Sequence, residues 1–93
     1  MKTYVLGLCA NRHVMPVKDS VYPQWVPHSC TMDELEKMAN SGIPADCDRL
    51  ALYATGLGVA LMSVVKVCLK RNIKLTVYHY DPYRDEYNRQ EVL

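Results

Sequence analysis

The sequence contains no Cys-x-x-Cys pair, no internal repeat, no linker and no low-complexity tract, and neither sign of charge is in excess. Each absence excludes a class. Lys and Arg total 11 against 10 Asp and Glu, a formal net charge of +1, so the overall charge gives no argument for nonspecific nucleic-acid binding, which leaves only a local basic patch. The four cysteines, Cys9, Cys30, Cys47 and Cys68, are widely spaced. They read as reduced thiols rather than a zinc site, which would have to gather Cys30, His28 and distant ligands. No metal and no cofactor are expected. The apolar run after Met1-Lys2 is too short for the core of a signal sequence followed by a small-residue cleavage site, and a cytoplasmic location is the expectation. Leu50 to Leu69 carries no charge except Lys66 and has the length of a membrane span. The Thr55-Gly56-Leu57-Gly58 interruption and the alternating segment that follows assign it instead to a strand and a helix, and no membrane partner is expected.

What is present fits one domain. A chain of 93 residues has room for one core and leaves much of its surface exposed, so self-association would be a natural supplement. Thr3 to Ala10 is a continuous apolar run with the look of a strand covered on both faces. Pro16, Pro23 and Pro27, with Tyr22 and Trp25 among them, reduce the next stretch to an ordered loop or a short edge strand. Thr31-Met32-Asp33-Glu34 has capping-box spacing. It opens a short helix with Leu35 and Met38 or Ala39 on its apolar side and Asn40-Ser41-Gly42 as its stop.

Leu50 to Ala54 reads as a second buried strand. The helix from Leu57 to Leu69 is so densely apolar that it must be buried on more than one side. The second side would meet the first helix, the proline loop or a second copy of the chain. Asn72 is its stop, and Ile73 to Tyr80 alternates with the period of a strand. Ile73, Leu75, Val77 and His79 share the apolar face, which makes His79 a core residue. Tyr78 and Tyr80 share the other face, which predicts a packed layer or an interface. Asp81-Pro82 ends the strand, and Tyr83 to Glu86 turns into a last polar strand, Tyr87 to Val92. The expected architecture is a small Rossmann-like α/β sandwich over residues 1–93, of order β-α-β-α-β-β, with a mostly parallel sheet and a C-terminal hairpin.

In open sheets of this kind ligands bind beyond the carboxyl ends of the strands. Three polar clusters fall there: Asn11-Arg12-His13, Thr55-Gly56-Leu57-Gly58 and Asp81. The glycines would let backbone N–H groups approach an anion at the positive end of the following helix. Arg12 would add a charged fork. A glycine pair here also serves tight packing between strand and helix, and neither the full dinucleotide fingerprint nor a phosphate loop ending in Gly-Lys-Ser/Thr is present. His13 is the candidate general acid or base. As a loop residue it can equally hydrogen-bond neighbouring backbone.

Leu50 to Met62, followed by Leu75-Thr76-Val77-Tyr78-His79-Tyr80-Asp81, resembles the closing half of the CRISPR-associated Rossmann-like (CARF) sensor domains. The resemblance implies a homodimer that binds cyclic oligoadenylate, with Thr55, Gly56 and Gly58 lining a nucleotide phosphate. The leading expectation is thus a homodimeric binding module for a small anionic ligand, a nucleotide or cyclic oligonucleotide. Two alternatives stand beside it. One is a small phosphodiesterase using His13 and Arg12. The other is a ligand-free interaction protein assembling through the apolar helix 57–69, in which a charge at Val64 would disrupt assembly.

Overall fold

The computed structural model describes residues 1–9, 17, 19–22, 30–54 and 58–93. Along the chain they form β1 (Thr3–Cys9), β2 (Ser20–Tyr22), α1 (Met32–Gly42), β3 (Arg49–Ala54), α2 (Gly58–Arg71), β4 (Lys74–Asp81) and β5 (Glu86–Glu91). The strands make one five-stranded sheet in the order β2-β1-β3-β4-β5. β2, β1, β3 and β4 run parallel, and β5 returns antiparallel to β4. This is the expected mostly parallel α/β fold with its terminal hairpin, and β2 is the short edge strand that the proline-rich stretch allowed.

Alternation divides the sheet into two unlike faces. Leu6 and Leu8 of β1, Leu50, Leu52 and Ala54 of β3, and Leu75 and Val77 of β4 are buried. These residues face α1 and α2, which pack on each other as well as on this side of the sheet. The opposite face carries Val5, Ala51, Tyr53, Thr76 and Tyr78, all exposed or half-buried. β1 is therefore covered on both faces only towards its carboxyl end, where Gly7, Leu8 and Cys9 are all buried; Thr3 and Val5 are exposed.

The local rules that start and stop the helices are visible atom by atom. At α1 the Thr31 hydroxyl accepts from the Glu34 backbone N–H at 3.2 Å, and the Glu34 carboxylate accepts from the Thr31 N–H at 3.1 Å, the reciprocal cap that its spacing predicts. A Cβ on Gly42 would overlap the Val21 carbonyl, so only glycine lets the end of α1 lie against β2. α2 ends at Asn72, whose φ of 56° is the left-handed turn asparagine tolerates.

Between the helices, the Tyr22 and Ser63 hydroxyls are hydrogen-bonded to each other inside the core. They also lie 2.7 Å from the Leu35 carbonyl and 2.6 Å from the Ala60 carbonyl respectively. Two hydroxyl protons are shared over three contacts, which ties β2, α1 and α2 together without an orphaned polar atom. Burial pushes the Tyr22 phenol up.

Nearer the surface, Glu36 of α1 accepts from Lys66 at 2.7 Å and Lys70 at 2.5 Å, both on α2. Those two ammonium groups hold its carboxyl below the usual 4.5. A carboxyl depressed in the folded state binds fewer protons there than when unfolded, so its contribution is complete above the usual value and is lost as pH falls through the lower folded one. The urea midpoint should accordingly fall on acidification through and below pH 4.5, and Glu36→Gln should flatten part of that fall. The Thr31 backbone holds Glu34 down and the Tyr4 hydroxyl holds Asp46 down, so a residual acid slope should survive. An unchanged profile in Glu36→Gln would remove Glu36 from the account.

Candidate functional site

Strand order decides where a ligand would sit. From β1 the chain steps outward to β2, then crosses back over β1 to place β3 on its other side, and continues through β4 and β5. The direction of winding thus reverses between β1 and β3, whose parallel registry runs from Thr3↔Arg49 to Gly7↔Tyr53. At such a switch point the loops leaving two neighbouring strands diverge and open a crevice at the carboxyl ends. Cys9 closes β1 and Ala54 closes β3 at this end. The two segments that continue from them are those that carry the predicted polar clusters.

Of the predicted site residues, Asn11, Arg12, His13, Thr55, Gly56 and Leu57 lie outside the described residues, as do Trp25 and His28. Gly58 and Asp81 are described. Gly58 is the first residue of α2, is exposed, and among the described residues has nothing within 4 Å of where a Cβ would stand. It starts α2 at the carboxyl end of the sheet, and no acidic side chain occupies the first turn of the helix.

Asp81 stands at the same end of β4 and is half-buried. Its Oδ1 accepts from the backbone N–H groups of Tyr83 at 2.9 Å and Arg84 at 3.4 Å, which is how an aspartate shapes its own turn. The residue builds the rim of the site with one of its two carboxylate oxygens. Asp85, with φ 50°, accepts from the Tyr80 hydroxyl at 2.8 Å and holds the other side of that turn. This bond is the first cause of the raised Tyr80 phenol.

His79 corrects the sequence reading. It shares the face of Leu75 and Val77, yet it is exposed rather than in the core. The burial along β4 shows why: Leu75 and Val77 are covered by the helical layer, whereas His79 pairs with Ala54, the last residue of β3, at the rim of the sheet. An imidazole therefore joins the rim beside the end of β3. Its only sequence signal was position: it is the third inward residue of a strand longer than its neighbour.

A groove of about 440 Å³ lies between α1 and α2, and of its lining residues Glu36 pairs with Lys70 and Arg71 donates to Asn40. All four cysteines are free. Burial raises the Cys47 thiol and pushes Cys68 up to about 11, so both are held as unreactive thiols. Among the described residues no group of three or more His, Cys, Asp or Glu could hold a metal ion, and no helix is long and apolar enough to cross a membrane. No protein-family model, curated protein or solved structure matches this chain.

Proposed function

We propose that this chain is a binding module for a small anionic ligand, a nucleotide or cyclic oligonucleotide, held at the carboxyl ends of its parallel strands. The observation that carries this reading is the reversal of strand order between β1 and β3, because it makes neighbours of the strand ends that lead into Asn11-Arg12-His13 and Thr55-Gly56-Leu57-Gly58. In this reading the turn's backbone N–H groups and the start of α2 receive a phosphate, and Arg12 neutralises it. His79 and Asp81 border the same rim. The resemblance to CARF sensor domains adds cyclic oligoadenylate as the first ligand to try.

Thermal unfolding of the purified protein against nucleotides, cyclic dinucleotides and cyclic oligoadenylates tests the proposal. A ligand at 100 times its dissociation constant adds about 2.7 kcal/mol, a shift of several degrees or more for a domain of this size. Arg12→Ala should abolish that shift. No shift with any compound would overturn the reading.

A second reading, an interaction protein using the outer side of α2, is favoured by one observation. Val59, Met62 and Leu69 are 45%, 58% and 62% exposed and recur with helical spacing on one side of α2. The helix is covered on more than one side, by the sheet and by α1, while this outer stripe has no cover among the described residues. Val64, by contrast, is fully buried and cannot serve as an interface residue.

A further inference from the structure

Neither helix covers the second face of the sheet, and the side chains on it are ordered in rows by the parallel registry. Arg49 pairs with Lys74, Ala51 with Thr76, and Tyr53 with Tyr78, and β5 adds Glu91, Arg89 and Tyr87 beside Thr76, Tyr78 and Tyr80. From one end to the other this gives a basic row, a row in which Val5, Ala51 and Thr76 end in Glu91 on β5, a row in which Tyr53 and Tyr78 end in Arg89, paired with Glu91, and a last row in which Tyr80 donates to Asp85. Arg49 and Lys74 have no salt bridge among the described residues, and Val5 is 49% exposed. The basic row and the Asp85 end lie about 20 Å apart at the rise of a β-strand.

The rings are poorly arranged as a platform for bases. Tyr53 and Tyr78 lie with centroids 4.6 Å apart and planes within 8°, so each covers one face of the other. Tyr87 sets its edge to Tyr53 at 5.0 Å and packs at 5.3 Å from Tyr80. The faces a nucleobase would need are largely used within the cluster. What projects is a ridge of ring edges beside a trough of alanine, threonine and valine.

We propose that this face is a self-association surface on which two copies pack sheet to sheet about a two-fold axis lying across the strands between the trough and the ridge. That operation reverses the strand direction of the partner and superposes unlike rows. The Tyr53 and Tyr78 ridge of one copy fills the Ala51, Thr76 and Val5 trough of the other, and the same contact is made twice because a two-fold interface is self-complementary. The operation leaves each strand over its own copy, so it also carries Lys74 of β4 onto the partner's Tyr80 and the Asp85 that accepts from it, which matches charge at both rims. Sheets pack in this aligned manner at about 10 Å. A parallel arrangement would set ridge on ridge and Lys74 on Lys74, and is disfavoured on both counts.

Sedimentation equilibrium over micromolar to millimolar concentration tests the proposal. Wild type should show a monomer–dimer equilibrium that weakens with added salt, since the rim pairs are exposed and screened. Ala51→Arg puts an unpartnered charge in the trough and should weaken the dimer by at least about tenfold, with circular dichroism confirming that the monomer remains folded. Lys74→Gln and Asp85→Asn should each weaken it, and the double variant should lose no more than the weaker single variant, because each removes the same contact. A wild type that is monomeric throughout would overturn the proposal. So would a dimer indifferent to Ala51→Arg, or additive losses at Lys74 and Asp85.

Discussion

Val64→Asp should leave this protein unfolded, whereas Met62→Asp, two residues away on the same helix, should leave it folded. Val64 is fully buried and Met62 is 58% exposed, because two positions on a helix are about 200° apart and face opposite ways. An aspartate at position 64 would be either an unpaired charge or a protonated acid in an apolar core, costing several kcal/mol. The whole stability of a chain this long is about 5 to 14 kcal/mol, so the loss takes most or all of it. At position 62 the same side chain stands in water on the outer stripe, where surface changes stay within about 0.5 kcal/mol. Far-ultraviolet circular dichroism with urea titration checks both. A folded Val64→Asp would mean that α2 sits on the sheet differently from the packing described here. The pair of variants also separates the two self-association surfaces. If α2 rather than the open sheet face assembles, Met62→Asp will be a folded monomer and Ala51→Arg will not. A chain using both faces in two-fold contacts would form open-ended assemblies rather than dimers.

The parts of the fold that depend on neighbours in sequence were legible. The capping box of Thr31 and Glu34, the Asn72 stop and the break at Asp81-Pro82 are local, and period alone separated α2 from β4. The parts that depend on what covers an element were not. The density of apolar residues in α2 implied cover on more than one side, which the sheet and α1 supply, but it did not show that Val59, Met62 and Leu69 stay exposed, because both crossover helices pack on one side of the sheet and nothing described lies outside them. His79 followed the inward alternation of its strand and still reached solvent, because alternation says which face a residue takes and not how far along the strand the helices extend. The candidate site divides in the same way. Its position at the carboxyl ends was legible from the order of strand, turn and helix. The reversal between β1 and β3 was not, since β2 is only three residues long and the proline-rich sequence around it carries no strand period.

Arg71→Ala should be the most destabilising change of a surface-reaching side chain, by about 2 to 4 kcal/mol. Its guanidinium lies across the end of α1 rather than of its own helix. Nη1 donates to the Asn40 side-chain oxygen at 3.2 Å and the Ile43 carbonyl at 3.2 Å, and more distantly to the Asn40 carbonyl at 3.4 Å. Nη2 donates to the Pro44 carbonyl at 2.5 Å. α1 has no basic residue in its last turn, so this side chain supplies from α2 the positive charge that the helix end favours and the donors that its free carbonyls need. Removing it leaves the two part-buried carbonyls of Ile43 and Pro44 without these donors at once, which costs more than the mean worth of a hydrogen bond. Lysine should recover less than half the loss, because one ammonium cannot reach acceptors spread over the Asn40 and Ile43-Pro44 sites as a planar fork does. Urea midpoints of wild type, Arg71→Lys and Arg71→Ala decide the matter. Near-equal midpoints for all three would show that water satisfies the end of α1 unaided, and the coupling between the helices would then rest on Glu36 and on the buried Tyr22–Ser63 pair.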